Sequence, residues 1–228
     1  MKKIIKLVFS LGIALSAVSI KADPVEDNRA WAMVVGEGQL IPGKLRWYLE
    51  AQGRFKDDWK NYDQAFIRPA LNWQISEHSS LWLGYLYADT KTANGHSYED
   101  RVWQQYQYVS SKDPGNTWLF RSRLEQRFHD VDDKTSHRFR QLIRRSIPMS
   151  QSASLSYLFW DEWMVNLNKT NWAGDNGFAQ NRLFAGFLYK TTANSRLELG
   201  YVNQYVDGAK NSPNQSNHIL STSFFVQF

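Results

Sequence analysis

The chain has 228 residues and no cysteine, with 27 Lys and Arg against 22 Asp and Glu and a formal net charge of +5 at pH 7. The lack of cysteine excludes a disulfide framework, so packing and hydrogen bonds must hold the fold. Lys2, Lys3, Lys6 and Lys21 sit in an N-terminal leader without acidic residues, and leaving them out gives 23 basic against 22 acidic side chains, which removes the electrostatic motive for binding nucleic acid.

The leader itself reads as a signal peptide over residues 1–22. Its lysines precede an uncharged, largely apolar stretch at residues 7–20, and a small residue, Ala22, closes it. That stretch is shorter than the roughly 20 apolar residues a spanning helix needs. Residues 23–228 then form one domain. A mean hydropathy of −0.53 looks like that of a soluble protein, but a membrane β-barrel buries only alternate residues in lipid and has the same average.

After a short polar lead, residues 30–36 are an apolar run that reads as a strand, followed by a turn around residues 41–44. Residues 45–55 alternate: Leu45, Trp47, Leu49, Ala51 and Phe55 share one face of an extended chain, and Arg46, Tyr48, Glu50, Gln52 and Arg54 share the other. Residues 62–75 continue this, with Ile67, Leu71 and Trp73 opposite Gln64, Arg68 and Asn72. Pro69 has no amide proton to give to a ladder and predicts a bulge or a local break in pairing.

Strands are expected at residues 81–88 and at 98–109, where Glu99, Arg101, Trp103, Gln105 and Gln107 share a parity. In residues 118–128, Arg121, Arg123, Glu125 and Arg127 share one face while Phe120, Ser122, Leu124, Gln126 and Phe128 share the other. Arg138, Arg140, Leu142 and Arg144 alternate with Phe139, Gln141, Ile143 and Arg145. Further strands follow at 155–165, with Glu162 on the polar side, at 178–190 with Gln180 and Arg182, at 196–205 with Arg196 and Glu198, and at 217–228.

The class is therefore all-β: a single antiparallel up-and-down barrel. From Leu45 onward there are ten strands, an even number that puts the start and the C-terminus at the same end. Residues 30–36 are left over, either as part of a twelve-strand closure or as a partial plug. Short turns are expected after residues 75, 110, 147 and 190, and longer polar loops after 55, 88, 128, 165 and 206.

A soluble barrel would put the apolar parity inside. Three features favour the reverse. The charges on the strands are mostly arginine, namely Arg46, Arg54, Arg68, Arg101, Arg121, Arg123, Arg127, Arg138, Arg140, Arg144, Arg182 and Arg196, while lysines keep to turns and strand ends; a confined interior favours the planar, multi-donor guanidinium. Trp73, Tyr85, Tyr106, Tyr108, Phe128, Tyr157 and Tyr189 lie near strand ends, as in the aromatic girdles of membrane barrels. Finally, Leu220, Thr222, Phe224, Val226 and Phe228 alternate up to a free terminal aromatic, and Phe224, Val226 and Phe228 resemble the C-terminal sorting signal of outer-membrane barrels.

Taken together, Arg46-Trp47 to Arg54, Leu124-Glu125-Gln126-Arg127-Phe128, Arg138-Phe139-Arg140 and Gly200-Tyr201 give the chain a resemblance to the bacterial family known as domain of unknown function 2490, expected to be outer-membrane barrels. The resemblance implies architecture and location, and with them outer-membrane lipid, periplasmic chaperones and the barrel-insertion machinery as partners. It implies no activity.

Inward polar faces would gather those twelve arginines with Glu50, Glu99, Glu125, Glu162 and Glu198, a cationic surplus that needs water, an anion or further carboxylates. The sequence leaves three readings: a network that fills and stiffens a narrow barrel, a passive path for small anionic solutes, or an outer-membrane hydrolase built at the rim from His96, His129, His137 or His218 with Asp130, Asp132 and Asp133. No G-x-S-x-G elbow supports the last. No cofactor and no metal-ligand spacing is recognised.

Overall fold

Alternation at a period of two becomes, in the computed structural model, a closed sheet. The structure describes residues 23–150, 154–208 and 212–228; the expected signal peptide at residues 1–22 lies outside them. The strands are β1 (Val25–Ile41), β2 (Leu45–Lys56), β3 (Asn61–Gln74), β4 (Ser79–Thr92), β5 (Gly95–Val109), β6 (Trp118–His129), β7 (Asp132–Pro148), β8 (Leu155–Asn166), β9 (Gly177–Lys190), β10 (Ser195–Val206) and β11 (Gln215–Gln227). Each pairs with its sequence neighbour in antiparallel fashion, and β1 lies parallel to β11 to close the barrel. Closure leaves no bare sheet edge.

The stave count thus corrects the expectation of ten, or twelve, strands. Residues 30–36 are neither a plug nor half of an added pair; they lie inside β1, a full 17-residue stave. With eleven strands, β1 starts beside the start of β11, where Val25 pairs with Gln215. The start of the barrel and Phe228 are therefore at opposite ends, not at the same end.

The expected inequality of loops holds only in part: the connections at residues 167–176 and 207–214 are long and those at 75–78 and 191–194 short, as expected, but others depart from it. The connections at residues 57–60, 93–94 and 130–131 are tight turns, while the C-terminal end of the barrel carries the eight-residue connection 110–117. Polar residues expected in loops, such as Lys91 and His96, instead extend the ladder, pairing with each other between β4 and β5. Pro69 does interrupt its ladder: β3 pairs with β4 through Ile67–Tyr87 and resumes at Ala70–Gly84, with the register unchanged across the gap.

The two faces are distributed as the alternation predicts. Leu71, Trp73, Leu83, Tyr85, Tyr106, Phe128, Tyr157, Phe187, Tyr189 and Leu220 are exposed on the outside, whereas Glu50, Arg68, Glu99, Arg123, Glu125, Arg127, Arg140, Glu162 and Glu198 are buried. Polar side chains that do fall on the outer face satisfy one another across strands. Gln104 and Gln126 exchange amide hydrogen bonds at 3.1 and 3.3 Å, Ser122 donates to Gln141 at 2.6 Å, and Tyr85 donates to Asp100.

The β1–β11 seam is reinforced by close packing. Trp47 of β2 lies over Gly38 of β1, where a Cβ would stand 2.6 Å from the indole nitrogen, and its ring stacks on that of Phe228 at 5.7 Å. The Phe228 amide donates to the carbonyl of Glu37 at 2.9 Å.

Candidate functional site

Because inward residues of neighbouring strands stand side by side, ladder register decides which arginine meets which glutamate. Arg68 of β3 faces Glu50 of β2, its register partner, and donates to both carboxylate oxygens at 2.8 and 2.9 Å, while the Tyr48 hydroxyl donates to the same carboxylate at 2.5 Å. Glu99 accepts from Arg101 at 2.8 Å and from Arg127 at 2.5 Å. Arg46 reaches Glu37 at 3.5 Å, a carboxylate contributed by the strand that the sequence reading left over.

The bridges Arg121–Glu162, between β6 and β8, and Arg144–Glu198, between β7 and β10, cross the interior between strands that are not neighbours. Glu162 of β8 takes Arg121 of β6 at 2.6 Å and Arg140 of β7 at 2.8 Å, with Arg182 of β9 at 3.7 Å. Glu125 accepts from Arg140 at 2.8 Å, with Arg101 and Arg123 each at 3.6 Å. Arg144 of β7 and Arg196 of β10 share Glu198, at 2.7 and 3.1 Å.

Among the described residues, Arg54, Arg123, Arg138 and Arg182 are arginines that make no hydrogen bond to a carboxylate. Arg54 donates to Gln52 and Gln64 at 3.0 and 2.9 Å, Arg138 donates to Asn166 at 3.0 Å, and Arg182 has only the long approach to Glu162. Aromatic faces take part of the load. The Arg54 and Arg182 guanidinium groups lie 4.2 and 4.9 Å from the ring centroid of Trp31. Arg123, bonded through Nε and Nη2 to Gln105, lies 4.0 Å from that of Trp103.

Two cavities lie inside the barrel among the described residues. The larger, about 1120 Å³, runs from the turn residues Gly43, Ser76 and Lys112 at the C-terminal end up to Arg54, Arg68, Arg140 and Arg182. The smaller, about 190 Å³, lies beyond them. Arg54, Phe66, Arg68, Arg140 and Arg182 line both and stand between them. At the far end Trp172, in the connection between β8 and β9, stacks on His129 at 4.8 Å and lies 4.9 Å from Arg127.

The seventeen charged residues expected on the polar face lie on one wall, and nine of them, Glu99, Arg101, Arg121, Arg123, Glu125, Arg127, Arg140, Glu162 and Arg182, are linked by ion pairs into one network. Sequence reasoning missed the acids Glu37, Asp27 and Asp63, the last two holding Arg29 at 2.7 and 3.3 Å. It also missed an apolar cluster inside the barrel, formed by Trp31, Leu158, Phe184, Leu188, Val202 and Ile219 with Trp160 against it. Its signal was present: Leu158, Trp160 and Phe184 have the same parity as Glu162 and Arg182.

Of the histidines, His129 meets a potential nucleophile, its Nε2 standing 2.8 Å from the Ser97 hydroxyl. The Val131 amide donates to His129 Nδ1 at 3.3 Å. The Asp130 carboxylate also lies 3.3 Å from Nδ1, so the two contacts at that nitrogen call for opposite tautomers of the ring. His96 pairs with Asp89 and His218 with Tyr201. The backbone amide of His137 donates to Asn168. Among the described residues no group of three or more His, Asp or Glu side chains could hold a metal, and no helix is long and apolar enough to cross a membrane.

Comparison with known proteins gives a family and no activity. An uncharacterised protein of Methylorubrum extorquens is 29% identical over 224 residues, covering 97% of each chain. No solved structure matches. The family model described as "Protein of unknown function (DUF2490)" matches residues 28–217, from the start of β1 into β11. The chain belongs to the DUF2490 family.

Proposed function

We propose that the protein is an outer-membrane β-barrel whose arginine-rich lumen is cross-braced and closed to through-passage. The observation that carries this reading is the inversion of the two faces. A water-soluble barrel with Leu83, Phe187 and Leu199 outward and Glu125 and Glu162 inward would expose an apolar belt far beyond what soluble surfaces carry. In a bilayer the same belt is what barrel strands require, and staves of 12 to 17 residues exceed the roughly 9–11 needed to cross. The partners are outer-membrane lipid and, during export, periplasmic chaperones and an insertion machinery that reads Phe224, Val226 and Phe228. The signal peptide at residues 1–22 supplies the route. Ser97 and His129 have no catalytic role in this reading.

The arginine partition between the cavities supports the closed state, since Arg68 and Arg140 are held there by Glu50, Glu125 and Glu162. The larger cavity gives the second reading, a passive path for small anions, its specific support. Heat-modifiable mobility of the protein in an outer-membrane fraction tests location; a band that ignores boiling and follows the soluble periplasm overturns the membrane reading. Planar-bilayer recording tests closure: no steady current is expected, and an ohmic, anion-selective current selects the path instead.

A further inference from the structure

Around the smaller cavity the balance of charge is unlike that anywhere else in the barrel. Seven arginines and one glutamate, Glu99, line its 190 Å³. Four of those arginines are answered: Arg101 and Arg127 by Glu99, Arg68 by Glu50, and Arg140 by Glu125 and Glu162. The other three, Arg54, Arg138 and Arg182, make no hydrogen bond to a carboxylate, Arg182 having Glu162 only at 3.7 Å. Like charges held together out of bulk water repel strongly.

The chamber also carries unused donors. Arg127 Nη1, Arg68 Nε and Arg182 Nε are buried without a hydrogen-bond partner, and Arg68 and Arg127 are themselves 8% and 6% exposed. A buried guanidinium N–H left unmade costs about 1–3 kcal/mol or more. The remaining polar wall, Gln180 and Gln204, is already bonded in a chain in which Gln204 donates to Gln180 and Asn217 donates to Gln204. Neutral amides thus supply no countercharge.

We infer that this chamber is a binding site for one small tetrahedral oxyanion of the phosphate or sulfate class, held by Arg54, Arg138 and Arg182. A dianion answers most of the surplus of three, and the planar fork of guanidinium matches two oxygens at once, which a halide does not offer. The volume is that of about six waters, so a free oxyanion with part of its hydration fits and a lipid or nucleotide does not. The anion locks the upper half of the barrel, joining strands β2, β7 and β9 that the ladder does not join directly.

The test uses the full-length barrel folded in detergent, with inorganic phosphate or sulfate present throughout folding and chloride at equal ionic strength as the control. Thermal unfolding followed by tryptophan fluorescence is expected to rise saturably with phosphate, and calorimetry is expected to give one site per chain. Arg138→Gln and Arg182→Gln each remove one cation to which no carboxylate is hydrogen-bonded. Each is expected to fold without phosphate at least as stably as the parent and to lose about tenfold or more in phosphate affinity. An unfolding temperature indifferent to both oxyanions, or the parental response retained in both variants, overturns the site. The readout does not depend on membrane location or on conductance, so its failure is separable from failure of the proposed function.

Discussion

The Arg140 guanidinium donates from Nη2 to both carboxylate oxygens of Glu162 at 2.8 Å, while its Nη1 reaches Glu125 at the same distance. One side chain thereby joins β6, β7 and β8 through their inner faces.

Glu162→Gln takes the shared carboxylate from Arg121, Arg140 and Arg182 at once. Stranding buried cations in this way is expected to cost about 3–5 kcal/mol of unfolding free energy, measurable as a lowered urea midpoint. Adding Arg182→Gln removes one of the stranded charges, so the double variant should recover part of the loss.

Gly84 faces the interior beneath Trp103, and a Cβ there would stand 2.2 Å from the indole ring. Gly84→Val must displace Trp103, and with it the ring face that Arg123 uses. A loss of about 1–3 kcal/mol is expected, with a changed near-ultraviolet circular dichroism spectrum reporting the moved indole.

Trp47 and Phe228 stack across the seam, and their contribution is separable by a double-mutant cycle. Trp47→Ala, Phe228→Ala and the pair together should show a coupling of about 0.5–1.5 kcal/mol. Additive effects would mean that the rings act independently.

Asp57, Asp58 and Trp59 occupy the left-handed region in succession, with φ of 56°, 56° and 68°. An L-residue there costs about 1–2 kcal/mol, and the Trp59 side chain is exposed. Trp59→Gly should raise the unfolding free energy of the detergent-folded barrel by about 1 kcal/mol.

At the C-terminal end, partial burial pushes the Asp113 carboxyl upward, but the Lys190 ammonium at 2.7 Å and the Gly115 amide at 2.8 Å outweigh it and hold it below the usual carboxylate range. A depressed folded-state value stabilises above the unfolded value of about 4 and is lost as pH falls through the folded one. The stability gap between the parent and Asp113→Asn, under about 1 kcal/mol for so exposed a pair, should therefore be present at neutral pH and vanish in acid.

The wall to which each charged residue belongs was legible because a closed sheet has only two faces and alternation assigns them. The pairing was less so: Arg144 and Glu198 are 54 residues apart on β7 and β10, and only the width of the barrel brings them together. β1 was hard to read for a chemical reason. Its outer row of Ala30, Ala32, Val34, Gly36 and Gly38 is small and uncharged, so it contrasts too little with the inward Trp31, Met33 and Val35 to show a period of two. Its length was hidden with it, and so was the Glu37 that answers Arg46. The strand extensions at Lys91 and His96 look like loops in the sequence because their polarity follows surroundings beyond the apolar belt, not backbone conformation.

Gln227 donates to Glu37 at 2.8 Å across 190 residues of sequence, and the parallel pairing of β1 with β11 is what makes that contact possible. The cylinder therefore cannot be completed until β11 exists. Before then the chain is a curled ribbon with two bare rims, one of them the long strand β1 that was made first and waits longest for its mate. A truncation that removes only the final stave leaves every hairpin intact and yet returns the protein to that open, self-adhesive form, which makes the integrity of the C-terminus a checkpoint for the whole molecule.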